Sequence, residues 1–114
     1  MRFSVDSSLA RRIREQGWCK RTGQVTVRYI PGQTYRFSPV MAKKQGNAPE
    51  RNRVKRIVRE LMRAGEGVFP NGAYLIYCSG PCETLHHEEL KSAILAIMDS
   101  LCAGARGESQ EEAR

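Results

Sequence analysis

The sequence predicts a single α+β domain, a two-layer sandwich with the element order α-β-β-α-β-α. Three observations support this prediction. The chain has 114 residues, which is the size of one domain. Apolar residues recur at helical spacing in two long segments. Short apolar runs bounded by glycine and proline lie between the helical segments and are typical of strands.

The first predicted element is a short helix near the N-terminus. The polar residues 6–8 (Asp-Ser-Ser) can cap its start, because their side-chain oxygens accept hydrogen bonds from the first helical N–H groups. Leu9 and Ile13 are four residues apart and therefore share one helix face. Gly17 predicts the end of the helix, since glycine is common just after the last helical turn.

Two strands are predicted next, over residues 25–30 and 34–42, with a Pro-Gly-Gln turn between them. We expect these strands to form a hairpin, because consecutive strands usually lie side by side. Pro39 lies inside the second strand and has no backbone N–H to donate. It therefore predicts an edge strand, a bulge or a late strand start.

The second predicted helix carries the most informative pattern in the chain. Pro49 suits its first turn, Asn47 or Ala48 can cap it, and it extends to about Ala64. The apolar residues form one helical stripe at i, i+3, i+4, i+7 and i+8: Val54, Ile57, Val58, Leu61 and Met62. The other positions carry six cations: Arg51, Arg53, Lys55, Arg56, Arg59 and Arg63.

A third strand and a long helix complete the predicted order. Residues 73–78 form the strand, which can lie parallel to an earlier one because a helix separates them. Residues 84–102 carry a wide apolar helical face. We therefore expect one domain over residues 1–103, followed by a small, charged and disordered tail over residues 104–114.

The distribution of charge indicates an anionic partner. Residues 1–63 contain 16 Lys/Arg and 4 Asp/Glu, a net charge of +12, whereas residues 64–114 contain 3 and 8, a net charge of −5. A helix face that is merely solvated would intersperse both signs, but only Glu50 and Glu60 accompany the six cations. We infer a nucleic-acid-binding surface, in which guanidinium groups grip phosphates and Asn52 adds a neutral donor and acceptor.

Other function classes have less support in the sequence. No run of about 18 apolar residues could span a membrane, and the N-terminus lacks an apolar signal core, so we expect a cytoplasmic protein with free cysteines. A zinc-dependent nucleic-acid binder is the weakest alternative, because the spacing of its possible ligands matches no common zinc finger: Cys78, Cys82, His86 and His87. The sequence contains no evident catalytic constellation.

The segment over residues 43–60 resembles the signature of the bacterial ribonuclease P protein component. That family carries a Lys-Lys-x-Gly-x-Ala loop and then an Arg-Asn-Arg-x-Lys-Arg helix. Here residues 43–48 are Lys-Lys-Gln-Gly-Asn-Ala and residues 51–56 are Arg-Asn-Arg-Val-Lys-Arg. The resemblance extends over about residues 9–102 and includes the element order. It implies a fold like domain 2 of ribosomal protein S5, with a left-handed β-α-β crossover.

The resemblance implies a function for the chain as well. It would be the protein subunit of ribonuclease P, an endonuclease that removes the 5′ leader from precursor tRNA. The catalytic RNA and its Mg²⁺ ions would perform the cleavage, so no catalytic residue or metal ligand is expected in the protein. The implied partners are ribonuclease P RNA and precursor tRNA, with neither DNA nor a membrane. The residues alone leave open a non-catalytic RNA-binding or ribosome-associated protein.

The resemblance further assigns residues to two surfaces. The surface for the catalytic RNA comprises Arg51, Asn52, Arg53, Lys55, Arg56 and Arg59, with Lys43 and Lys44. The cleft for the leader is expected between the sheet and the N-terminal helix, and it comprises Tyr29, Phe37, Arg11 and Arg14. Family members usually carry two aromatic residues on the first helix, at positions that fall near Ala10 and Arg14 here. We therefore expect leader binding to depend on aromatic residues of the strands and on charge.

Overall fold

The computed structural model describes residues 4–104 and forms a mixed α+β fold, which confirms the predicted class. The elements are α1 (Ser7–Gln16), β1 (Trp18–Thr22), β2 (Val25–Pro31), β3 (Tyr35–Val40), α2 (Ala48–Ala64), β4 (Gly72–Cys78) and α3 (His87–Gly104). Short 3-10 turns at Lys43–Gln45 and Cys82–Thr84 precede α2 and α3. Helix α3 includes Gly104, and residues 105–114 of the predicted tail lie outside the described residues.

The four strands form one sheet in the order β1-β2-β4-β3. Strand β4 lies between β2 and β3, pairing antiparallel with β2 and parallel with β3. The prediction that β2 and β3 form a hairpin is therefore wrong. The sequence of β4 explains its central place, because six of its seven residues are buried and such near-continuous apolar runs are typical of strands covered on both faces. Strand β3 lies at an edge, which confirms one of the three expectations drawn from Pro39.

The hairpin is formed by β1 and β2, and β1 was not among the predicted strands. Lys20 and Arg21 interrupt its apolar residues, so the strand carries no clear alternation. Thr22 pairs with Val25, which leaves Gly23 and Gln24 as a two-residue turn. Gly23 has a φ of 61°, a conformation that glycine adopts without steric cost. This glycine was the feature of the sequence that indicates a hairpin turn.

Helices α2 and α3 pack on one face of the sheet and enclose the main core. The predicted apolar stripe of α2 is confirmed, since Val54, Val58 and Met62 are fully buried and Ile57 and Leu61 pack against them. Among the described residues, no polar or charged residue is buried. We call this side the closed face of the sheet. The packing of the apolar stripe on this face determines which side of α2 remains in contact with solvent.

Helix α1 packs on the opposite face and covers only part of it, mainly over β2 and β4. As predicted, Asp6 caps the helix, because its side chain accepts a hydrogen bond of 2.9 Å from the Leu9 N–H. Ile13 is completely buried against Ala73 and Leu75. We call this side the open face. Among the described residues, no helix is long and apolar enough to cross a membrane.

Candidate nucleic-acid interface

The cationic surface begins at the Lys43–Gln45 turn, where Lys43 and Lys44 are exposed. The Gln45 side chain fastens this turn to the end of β4 and the residues after it. Its Nε2 donates to the carbonyls of Cys78 and Gly80, each at 2.8 Å, and its Oε1 accepts from the Ala42 N–H at 2.6 Å. The two lysines are therefore presented from an anchored turn.

A capping box fixes the start of α2 directly after this turn. The Asn47 side chain accepts from the Glu50 N–H, and the Glu50 carboxylate accepts from the Asn47 N–H, both at 2.9 Å. Asn47 is thus the cap, one of the two predicted positions. A Cβ atom at Gly46 would lie only 2.6 Å from Glu50 Oε1 and 3.0 Å from Cys82 Sγ. A side chain at this position would therefore displace the Glu50 carboxylate from the capping box.

A stripe of exposed polar side chains runs along α2 on the side away from the core. Its members are Asn52, Arg56, Arg59 and Arg63. Their spacing of i, i+4, i+7 and i+11 keeps them on one side of the helix. Lys55 lies beside them and is half-buried. Neighbouring like charges repel one another by a few tenths of a kcal/mol, roughly, and a polyanion would remove that cost. We call Asn52, Arg56, Arg59 and Arg63 the cationic stripe.

Arg51 and Arg53 occupy a different position from the stripe, because their guanidinium groups bond to the protein backbone. Arg51 Nε donates to the Gly46 carbonyl at 3.1 Å. Arg53 Nη2 donates to the carbonyls of Cys82 at 2.9 Å and Leu85 at 3.3 Å. Arg51 is half-buried, whereas Arg53 remains exposed while it makes these bonds. The motif helix therefore contains two arginines that fasten it to the fold, a role that the sequence motif does not reveal.

Two residues assigned to the leader cleft lie on the wrong face of the sheet. Tyr29 and Phe37 point to the closed face and are only 7% and 4% exposed. The Tyr29 hydroxyl donates to the Asn71 carbonyl at 2.5 Å, and its ring lies 4.7 Å from that of Tyr74. Burial raises the pKa of Tyr29 above its usual value. Neither ring can stack on a base, so these two assignments are wrong.

Tyr77 is an aromatic residue on the open face that sequence reasoning missed. It pairs with Thr26 across the β2–β4 ladder, and both point away from the closed core. The guanidinium of Arg28 lies over the Tyr77 ring, 5.9 Å from its centre. The sequence did offer a signal for Arg28. The apolar residues at 25, 27 and 29 of β2 alternate with polar ones, which places Arg28 on the face opposite the core. The pairing with Tyr77 depends on a strand far along the sequence.

The two arginines assigned to the cleft from α1 lie on different sides of that helix. Ala10 packs in the same cluster as Val40 and Tyr77, and Arg14 follows it by four residues, so Arg14 shares the side that borders the open face. Arg11 precedes the buried Ile13 by two residues and is exposed on the outer side of α1. The fold therefore does not bring Arg11 into the cleft.

A groove of about 540 Å³ joins the open face to the Lys43–Gln45 turn. Val40, Met41 and Tyr77 form its apolar and aromatic part, and Lys44 also lines it. An aromatic ring can stack on any base, while an ammonium group can neutralise the adjoining phosphate. The groove thus has the size and the chemistry to hold an unstacked nucleotide.

The residues considered as zinc ligands do not form a metal site. Cys78 and Cys82 are buried in the closed core, whereas His86 and His87 are exposed. Within residues 4–104, no group of three His, Cys, Asp or Glu residues could hold a metal ion. Burial, with a smaller contribution from Cys82, raises the pKa of Cys78 to about 11. The Cys78 thiol is therefore protonated at neutral pH.

Comparison with known proteins identifies the family. The family model described as Ribonuclease P matches residues 6–102, which include the turn and all of α2. The chain belongs to the ribonuclease P protein family. Ribonuclease P protein components of Coprothermobacter proteolyticus and Chlamydia pneumoniae are 32% and 35% identical over 65 and 71 residues. These matches cover 57% and 60% of the chain and 55% and 51% of the relatives, so the chain spans about half the length of the curated relatives it matches.

Solved structures of this family share the fold. The Staphylococcus aureus RNase P protein superposes with a TM-score of 0.76 at 18% identity, covering 84% of this chain and 91% of that one. The Thermotoga maritima RNase P protein gives 0.67 at 26% identity, covering 75% and 84%. The resemblance noted in the sequence is therefore confirmed, and the sheet with three helices matches ribonuclease P protein structures.

Proposed function

We propose that this chain is the protein subunit of ribonuclease P and binds the catalytic RNA in the cytoplasm. The observation that carries the proposal is the cationic stripe of α2, which is exposed and lies inside the segment matched by the family. Lys43 and Lys44 extend the positive surface at the start of the helix. By neutralising phosphates, this surface lets the catalytic RNA and a precursor tRNA approach each other.

The open face of the sheet is the proposed binding site for the 5′ leader of precursor tRNA. Tyr77 offers a ring on which a base can stack, and stacking contributes about 1–3 kcal/mol per base. Arg28 and Arg14 lie beside this ring or border the same face, where they can meet the leader phosphates. The groove toward Lys44 continues the path of the single strand to the lysine turn.

In this proposal the protein binds and orients RNA and contributes no group to the cleavage step. Mg²⁺ ions bound by the catalytic RNA supply the chemistry of phosphodiester hydrolysis. The guanidinium groups of Arg56 and Arg59 can each grip two phosphate oxygens, which fixes the direction of contact as well as neutralising charge. Asn52 can bond to a sugar hydroxyl or a base edge within the same stripe.

Reconstitution with a bacterial ribonuclease P RNA and a precursor tRNA tests the proposed function. At a magnesium concentration at which the RNA alone cleaves slowly, the added protein should increase the cleavage rate. No increase over RNA alone would contradict the proposal. A protein that binds the RNA without changing cleavage would instead be the non-catalytic RNA-binding protein that the sequence left open.

The salt dependence of RNA binding tests the assignment of the cationic stripe. If about six phosphates are neutralised, the logarithm of the binding constant should fall with the logarithm of salt concentration at a slope of roughly −4 to −5. Arg59→Gln should weaken binding and reduce that slope by about 0.7 to 0.9. Lys91→Gln is the matched control, because Lys91 is an exposed cation on α3. An equal effect of both substitutions would show that only net charge matters.

A further inference from the structure

The segment from Cys78 to Leu85 lies beneath both parts of the cationic surface. Gln45 in the lysine turn donates to the carbonyls of Cys78 and Gly80. Arg53 in α2 donates to the carbonyls of Cys82 and Leu85. Two side chains from separate elements are thus bonded to one short segment, which we call the platform.

Both side chains are held by these bonds, Gln45 in a half-buried and Arg53 in an exposed position. A side-chain amide has two N–H donors, and Gln45 directs both at platform carbonyls while its oxygen accepts from Ala42. The Arg53 guanidinium reaches two carbonyls with one nitrogen, which holds its plane against the platform. Gln45 is also uncharged, so a direct effect on phosphate attraction is excluded for it.

Packing at the junction between the lysine turn and α2 also holds these two elements against the platform. A Cβ atom at Gly46 would lie 3.0 Å from Cys82 Sγ and 3.2 Å from Cys82 Cβ. Cys82 is buried beneath that junction. The turn, the first turns of α2 and the platform therefore form one packed assembly, in which neither cationic element can shift without breaking bonds to the platform.

We infer that Gln45 and Arg53 are positioning residues that hold the lysine turn and the cationic stripe in a fixed relation. This inference rests on the proposed function, since both elements would contact the same RNA. A surface that is ordered before binding loses less conformational entropy when the RNA arrives. The two residues thus raise RNA affinity by holding Lys43 and Lys44 in place relative to the stripe.

A double-mutant cycle with ribonuclease P RNA tests the inference. Gln45→Met keeps the length of the side chain and removes its hydrogen bonds, and it should weaken RNA binding by about 3- to 10-fold. In a Lys43→Ala/Lys44→Ala background the same substitution should change affinity by less than about 2-fold, because the groups it positions are gone. Gln33→Met, in an exposed turn, is the matched control and should leave affinity unchanged.

Arg53 is tested in the same cycle against a stripe arginine. Arg53→Lys keeps the charge of this exposed side chain and removes its planar fork of donors. Its effect should disappear in the background without the two lysines, whereas the loss from Arg56→Gln should add to theirs. Equal losses in both backgrounds would show that Arg53 or Gln45 acts independently of the lysines and would overturn the inference. No loss of affinity in the single variants would overturn it as well.

Amide hydrogen exchange of the free protein tests the anchoring without RNA. Gln45→Met should increase exchange of the Ala42 N–H by at least about 10-fold, since Gln45 Oε1 is its acceptor. Unchanged exchange at Ala42 would overturn the inference even if RNA binding fell. Binding of the wild-type protein to ribonuclease P RNA is measured first, so failure of the proposed function is separated from failure of the positioning role.

Discussion

The two faces of the sheet are built from the same strands and differ in what their residues do. On the closed face, the aromatic rings of Tyr29, Phe37 and Tyr74 lie under α2 and α3 and are almost completely buried. On the open face, α1 covers only part of the strands, and Arg28 and Tyr77 remain half-exposed. Aromatic residues therefore stabilise the fold on one side and are available to a ligand on the other.

This difference teaches that residue type alone does not identify an RNA contact. Tyr29 and Arg28 are adjacent in the chain, but successive strand residues point to opposite faces. A shift of one residue therefore exchanges a core position for a surface position. Arg51 and Arg53 show on a helix that a cationic side chain can also stabilise the fold, because both bond to backbone carbonyls.

The largest expected effect comes from removing an aromatic ring on the closed face. Phe37→Ala should lower the free energy of unfolding by about 3–5 kcal/mol, since the substitution leaves a cavity in the core. That is a large share of the roughly 5–15 kcal/mol that stabilises a typical domain. Urea denaturation followed by circular dichroism measures the loss. A change of less than about 1 kcal/mol would mean that the ring is not packed as described.

Removing the ring on the open face should instead affect ligand binding. Tyr77→Ser should weaken binding of a precursor tRNA by about 5- to 150-fold, the range expected for loss of base stacking. Binding of mature tRNA, which has no leader, should not change. Tyr77→Phe retains the ring and is the matched control.

Tyr29→Phe extends the same comparison to the closed face. It removes only a buried hydroxyl and should leave leader affinity unchanged. If Tyr29→Phe weakened leader binding as much as Tyr77→Ser does, the assignment of the two faces would be reversed.

The smallest expected effect is a pH dependence of stability, which arises from groups buried on the closed face. Burial raises the pKa of Cys78 from 9.0 to about 11, so the unfolded chain releases this proton at lower pH than the folded one. Stability should therefore be constant below about pH 9 and fall as the pH rises toward about 11. Tyr29, Tyr35 and Tyr74 have raised pKa values as well and should steepen the fall above about pH 10.

Urea denaturation at several pH values measures this dependence. Cys78→Ala should remove the part of the fall between about pH 9 and pH 10, below the usual range of tyrosine. The same fall in Cys78→Ala and in the wild-type protein would show that another group is responsible. Cys102 is exposed on α3, and Cys102→Ala serves as the control thiol.

The sequence by itself determined the local features of this protein. Helical spacing identified the buried stripe of α2, and Asn47 with Glu50 supplied a capping box that needs only neighbouring residues. The Lys-Lys-Gln-Gly-Asn-Ala turn and the motif helix were sufficient for the resemblance to the ribonuclease P family, which the match over residues 6–102 confirms. These features depend on residues a few positions apart.

Only the tertiary structure decided how the distant segments combine. Strand β4 enters the sheet between β2 and β3, and this pairing places Tyr77 beside Arg28 and buries Tyr29 and Phe37. Gln45 and Arg53 bond to carbonyls 33 and 29 residues away. Local periodicity carries no information about such partners, because strand order and register are set by packing of the whole domain. The sequence therefore identified the cationic helix, and the fold determined which of its arginines bond to the protein backbone.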